Sequence, residues 1–147
     1  MKVFNIYLAG GMKNISFEEY RKRRDTLTKY LYDAFSRSDY YDNQTYKLRV
    51  IDPSLYYNYE ERLHETEKEI MNFELNQLRK SDLVIVDFID PHSLGTMTEM
   101  AIAYEHRIPI LGLNEKNNLH PWQREMCDRL FKDLADLLNY VGGFYFN

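Results

Sequence analysis

Glu99, Tyr7 and Glu74 are the side chains whose types and positions could together do covalent chemistry. A nucleophilic carboxylate with a second acidic group nearby is the arrangement that breaks a glycosidic bond through an oxocarbenium-like transition state. Glu99 follows a loop of Asp90, Pro91, His92, Ser93 and Gly95. Thr96 reads as the cap of the next helix, which puts Glu99 in its first turn, facing the strand ends. Ser93 and the free amides at the helix start could hold an anion or a sugar hydroxyl. Tyr7, near the end of the first apolar run, could hydrogen-bond Glu99 and orient it. After it, Gly10-Gly11-Met12-Lys13 forms a tight loop, and its two glycines let the backbone approach a ligand closely. Glu74 falls four residues after Ile70 and four before Leu78, on an inward helical stripe. A carboxylate there is costly unless it has a partner or a task.

Plainer readings stand beside these. Thr96-x-x-Glu99 is itself a capping box. Glu74 could snorkel from the edge of its stripe. His92 reads as a solvent-exposed loop histidine. The run Arg21-Lys22-Arg23-Arg24 reads as a solvated helix face, with phosphate binding as the alternative.

Val3 to Ala9 is an apolar first strand. Ser16-x-x-Glu19 opens a helix with Phe17, Tyr20, Leu27, Leu31 and Phe35 on one stripe. Arg37 to Lys47 is a polar surface connection, and Leu48 to Ile51 is a second strand ended by Asp52-Pro53. A helix follows from about Glu60 to Lys80. Leu83 to Phe88 is a β-rich apolar run of the kind buried on both faces of a parallel sheet. The helix bearing Glu99 runs to about Arg107, and Ile108 to Leu113 is the next strand. Pro121 starts a last helix whose apolar face runs from Met126 to Val141 and includes Cys127, a core thiol. Gly142-Gly143 stops it, and Phe144-Tyr145-Phe146 reads as a final short strand. The alternation predicts an α/β fold, a parallel sheet with helices on both faces, as one domain over residues 1–147. Ligands bind such sheets at the carboxyl ends of the strands, where these loops lie.

A net charge of −4 argues against a nucleic-acid polymer as partner, and no apolar run approaches the roughly 20 residues that span a bilayer. A single cysteine fits a reducing cytoplasm. Nothing matches a P-loop, a dinucleotide fingerprint or H-E-x-x-H, and the four histidines are scattered, so neither a cofactor nor a metal is expected. Thirteen tyrosines are many. Those in polar loops (Tyr40, Tyr41, Tyr46, Tyr56, Tyr57, Tyr59) suit either ligand stacking or ordinary packing, the latter favoured.

At these residues the sequence resembles the nucleoside 2-deoxyribosyltransferase family and the related 2′-deoxynucleoside 5′-monophosphate N-glycosidases. The matching pieces are Tyr7-Leu8-Ala9-Gly10, then Glu74-Leu75-Asn76 with Ser81-Asp82-Leu83-Val84-Ile85-Val86, then Ser93-Leu94-Gly95-Thr96-x-x-Glu99 with Ala101 and Ala103. The resemblance covers roughly Val3 to Leu113. It implies a flavodoxin-like fold with a five-stranded parallel sheet, a nucleoside or nucleotide as small-molecule partner, and a homodimer or larger assembly. It implies that Glu99 attacks the anomeric carbon, that Tyr7 orients Glu99, and that Glu74 handles the base or its proton where the family commonly has aspartate. Transfer of the sugar to a second base is the favoured outcome. The N-glycosidases suggest hydrolysis instead, with Ser93 and Lys13 on a 5′-phosphate, although Gly11 stands where they have a serine.

The chemistry needs an ionised Glu99, near or below the ordinary value of about 4.3, and a proton donor nearer pH 6. Glu74 on its apolar stripe suits the donor, and Asp90 suits binding of sugar hydroxyls. A TIR-like NAD glycohydrolase and a nucleotide sensor without turnover remain alternatives. A phospho-receiver domain needs an acidic pair after the first strand, where this chain has Ala9-Gly10-Gly11.

Overall fold

Five short runs rich in Val, Ile and Leu pair into one parallel sheet. The computed structural model describes residues 1–11, 15–56 and 65–147. The strands are β1 (Lys2–Ala9), β2 (Tyr46–Ile51), β3 (Leu83–Asp87), β4 (Ile110–Leu113) and β5 (Arg129–Phe131), in the order β2-β1-β3-β4-β5. This is the flavodoxin-like order, with its switch point between β1 and β3. The helices are α1 (Phe17–Ser36), the short α2 (Asp39–Asp42), α3 (Glu67–Arg79), α4 (Leu94–Glu105), α5 (Pro121–Met126) and α6 (Leu134–Tyr140). No described helix is long and apolar enough to cross a membrane.

The period-2 alternation of a strand divides the core into two layers. Ile6, Leu8, Ile85 and Leu111 pack with Leu27 and Leu31 of α1 and Leu137 of α6 on one face. Tyr7, Ala9, Val84 and Val86 pack with Leu75 and Leu78 of α3 and Met100 and Ala103 of α4 on the other. In register, Tyr7 sits between Ile51 of β2 and Val84 of β3, at the buried centre of the sheet. Aspartates extend the ladder below the strands. Asp82 Oδ2 accepts from Asn5 N at 2.8 Å, and Asp128 Oδ2 accepts from Ile110 N at 2.7 Å.

Four expectations change. Helix α4 is capped by Ser93, whose Oγ accepts from Thr96 N at 3.2 Å, so Thr96 lies inside the helix and Glu99 in its second turn. Helix α3 begins at Glu67 behind a Thr66–Glu69 capping box; part of the stretch where the sequence suggested a start near Glu60 lies outside the described residues. The expected long last helix is instead α5, β5 and α6. Leu130 and Phe131 face opposite core layers, a strand's alternation inside what reads as a helical stripe. Asp133 then caps α6 by accepting from Asp136 N. Finally, residues 144–146 form no strand: Val141–Tyr145 is a π-helical turn, and Phe146 is buried edge-on to Phe4 and Phe35.

Tyr40 and Tyr46 pack on each other, with ring centroids 4.5 Å apart, and on Phe4, as the packing reading of the tyrosines has it. Tyr57 and Tyr59 lie outside the described residues. On the far side, Gln123 of α5 is buried. It accepts from His120 N and donates to the Pro91 carbonyl at 2.6 Å, tying α5 to the loop after β3.

Ile85 lies between Leu8 and Leu111 in the middle of the sheet and is fully buried. Ile85→Ala is expected to lower unfolding free energy by about 2–5 kcal/mol in denaturant titration, with the slope unchanged.

Candidate active site

A cleft of about 280 Å³ opens at the carboxyl end of β1. It forms because the chain leaves β1 toward one face of the sheet and β3 toward the other. Gly10 and Gly11 edge it from β1, and Tyr20 and Arg24 from α1. Pro53 and Ser54 line it after β2, Glu74 from α3, and Ser93, Gly95, Thr96 and Glu99 from α4. A larger hollow of about 540 Å³ lies between α1 and the ends of β3 and β4, lined by Lys22, Arg23, Asp87 and Glu115 among others, and none of the expected site residues reaches it.

Glu99 is half-buried, on the edge of the stripe by which Thr96, Met100 and Ala103 dock α4 on the sheet. With Ser93 as cap, the Thr96–Glu99 capping box does not form, and Glu99 belongs to the cleft wall. The Tyr7 hydroxyl lies behind it, fully buried. It stands close enough to Glu99 to act on its charge, without the geometry of a full hydrogen bond. Burial, then the Glu99 and Glu74 charges, push Tyr7 far above the ordinary phenol range, so it stays protonated. Tyr7 touches Glu99, not the cleft.

Burial also pushes Glu99 up from 4.5 to about 7; the neighbouring Glu74 charge adds to this, while Tyr7 and Arg24 oppose it. The expectation that Glu99 sits near or below the ordinary value is therefore overturned. Desolvation of a carboxylate between a core helix and a buried tyrosine outweighs its donor and its cation.

The remaining expected residues divide. Gly10 has φ +145°, and a Cβ there would lie 2.5 Å from the Asp87 carbonyl, so the turn requires glycine. Gly11 packs so tightly that a Cβ would lie 2.6 Å from both Asp90 Oδ2 and Ser93 Cβ. Asp90 is buried under Gly11, with Oδ1 accepting from His92 N at 3.2 Å, and it does not line the cleft. It holds the loop, where the sequence suggested a sugar ligand. Ser93 reaches the cleft with its Oγ accepting from Thr96 N, and among the described residues its O–H has no hydrogen-bond acceptor. Gly95 is exposed there, and a Cβ would meet only Ser93 Oγ at 3.8 Å. Lys13 lies outside the described residues. Among the described residues no cluster of His, Cys, Asp and Glu is placed to hold a metal.

Arg24 is the residue the sequence reading missed. Within the basic run Lys22 is solvated, as expected, but the three arginines are not a solvated face. Arg23 forks onto Asp87 at 2.7 and 2.9 Å, Arg21 pairs with Asp52, and Arg24 is 3 % exposed. The signal was present: Arg24 fills the gap in the stripe Tyr20, Leu27, Leu31, Phe35, a charge on a buried face like Glu74. Phe17, expected on that stripe, is exposed at the cleft mouth.

The same fold occurs in solved structures of low sequence identity. A 2-deoxyribosyltransferase of Bacillus psychrosaccharolyticus superposes with a TM-score of 0.66 at 16% identity, over 92% of this chain and 91% of that one. A CMP N-glycosidase of Clostridium botulinum superposes at 0.58 and 15% identity, over 95% and 99%. A 2-deoxyribosyltransferase of Leishmania mexicana superposes at 0.59 and 16%, over 97% and 99%. No family model matches the chain. No curated protein matches it in sequence.

The raised Glu99 value has a sign for stability. Between pH 4.5 and about 7 the unfolded chain releases the Glu99 proton while the folded protein keeps it, so stability falls as pH rises through that window. At roughly 1.4 kcal/mol per pH unit the cost of the ionised form is a few kcal/mol. Glu99→Gln is therefore expected to raise the melting temperature at pH 8, with the gain vanishing toward pH 4; a gain equal at both pH values would contradict it.

Proposed function

We propose that this chain is a member of the nucleoside 2-deoxyribosyltransferase family and cleaves the N-glycosidic bond of nucleosides or nucleotides, with Glu99 as nucleophile. The single observation that carries this reading is the placement of Glu99: its carboxylate lines a cleft at the switch point of the sheet, with Tyr7 buried behind it and Glu74 on the same wall. Fold similarity to 2-deoxyribosyltransferases and a CMP N-glycosidase supports it.

A Glu99 oxygen attacks the anomeric carbon from the face opposite the base. The carbon–nitrogen bond breaks, its electron pair goes to the base, and the base takes a proton from Glu74. Tyr7 donates its O–H to Glu99 and holds the carboxylate in line. The Glu74 charge pushes Glu99 up, and this reading places a single proton between the two carboxyls. With that proton on Glu74, Glu99 is ionised, so a raised Glu99 titration is compatible with nucleophilic attack. A nitrogen of a second base then attacks the glycosyl-enzyme ester, returns its proton to Glu74 and frees Glu99. Ser93 and Gly95 at the start of α4 contact the sugar or its 5′ substituent.

Hydrolysis of 2′-deoxynucleoside 5′-monophosphates is the second reading. The Ser93 hydroxyl in the cleft at the helix N-terminus favours it, as does the fold shared with an N-glycosidase. Exposed Phe17 at the cleft mouth and exposed Leu94 beside Ser93 suit coverage by a second copy, in keeping with a homo-oligomer. The catalytic unit is the single domain over residues 1–147.

Incubation with deoxynucleosides and with their 5′-monophosphates, each with and without a free acceptor base, followed by chromatography, separates the readings. A new nucleoside formed only with acceptor is the expected result. Free base released from monophosphates alone establishes the hydrolase. No product from either sends the search to NAD, and thermal stabilisation by a nucleotide without turnover would identify a sensor. Glu99→Gln should abolish base release, and Glu74→Gln should slow it about 10²–10⁴-fold at neutral pH.

A further inference from the structure

Arg24 is a guanidinium 3 % exposed to solvent in the wall of the cleft. Taking such a charge out of water is costly unless it is paired and hydrogen-bonded. Its pairing is incomplete. Nη2 donates to the Gly10 carbonyl at 3.2 Å, and Cζ lies 5.1 Å from the centroid of the Tyr20 ring. Nη1 stands 3.5 Å from Asp52 Oδ1 and makes no hydrogen bond among the described residues. Asp52 is shared: Oδ2 is taken by Arg21, and Oδ1 accepts from Ser54 N at 3.1 Å and Ser54 Oγ at 2.6 Å. Arg21 has a second partner in exposed Asp25 at 3.1 Å, whereas the described ion pairs give Arg24 only the shared Asp52, at 3.5 Å.

We infer that Arg24 is the positioning residue of this cleft: it clamps the Gly10 turn to the ends of β1 and β2 and supplies the positive charge that balances Glu99. This rests on the proposed role of Glu99. Among the described residues the groups facing Glu99 are Tyr7 of β1, Glu74 of α3 and Arg24 of α1. Of these Arg24 is the cation, and it opposes the upward drive of burial and of Glu74. The clamp lands on a turn that only glycine can make, with Gly10 at φ +145°. Arginine suits both tasks, since its planar fork reaches a carbonyl with one nitrogen while its face lies on an aromatic ring. Lysine keeps the charge and loses the fork.

The test is the titration of the Glu99 carboxylate, followed by its ¹³C shift and assigned with Glu99→Gln, alongside the pH profile of kcat/KM. The expected result for Arg24→Gln is a Glu99 midpoint higher by one pH unit or more, with the acid limb of the profile moving equally, a roughly tenfold loss on that limb. Arg24→Lys should leave the midpoint within a few tenths of a unit and raise KM, as the Gly10 turn loosens. Asp52→Asn removes the counter-charge and should move the midpoint down, which keeps the inference testable where Arg24→Gln fails to fold. A midpoint that stays put in both Arg24→Gln and Asp52→Asn overturns it. A midpoint that moves while the acid limb does not follow supports the balancing role and rejects Glu99 as nucleophile, so the two failures are told apart.

Discussion

The Glu99 carboxylate sits where water has been largely removed, and most of the site is arranged around that constraint. A helix that docks its apolar stripe on a sheet takes the stripe's edge partly out of solvent with it. Glu99 is on that edge, three residues from buried Thr96 and one from buried Met100. Its ionised form must then be balanced by nearby dipoles and charges. Tyr7 supplies an O–H that cannot itself ionise near neutral pH, and the Glu74 charge adds to the upward push of burial on Glu99.

The sheet makes this convergence cheap in sequence. Neighbours along β1 point to opposite faces, so Tyr7 meets α3 and α4 while Leu8 meets α1. The parallel register sets Tyr7 level with Val84, three residues before β3 ends and the loop toward α4 begins. Three stretches that lie far apart in the chain thereby meet at the carboxyl end of the sheet.

Sheet strands β1, β3 and β4 are readable in the sequence because burial on both faces leaves continuous apolar runs between turn residues. The second half is harder. Leu130 and Phe131 sit among enough leucines to imitate a helix face, and only the neighbouring Asp128 and Asp133, one lengthening the ladder and one capping α6, separate a strand from its flanking helices. Ser93 and Thr96 are both good caps three residues apart, and the choice between them decides whether Glu99 is a cap or a cleft residue. Glu74 is legible because a carboxylate on an apolar stripe breaks a local rule of patterning, while Tyr7 and Glu99 stand out by their places at a strand end and a loop–helix junction. Arg24 breaks the same rule, but three basic neighbours disguise it. How far burial raises Glu99 is not written in the sequence, since it depends on how closely α3 and α1 approach it.

The loop after β3 is gripped from two sides. Gly11 closes on Asp90 and Ser93, and buried Gln123 of α5 takes the Pro91 carbonyl. A segment held this way has given up its conformational entropy by the time the chain is folded. Ligand binding therefore does not have to order it again, and that preorganisation leaves more of the contact energy at Ser93 and Gly95 to appear as affinity or as rate.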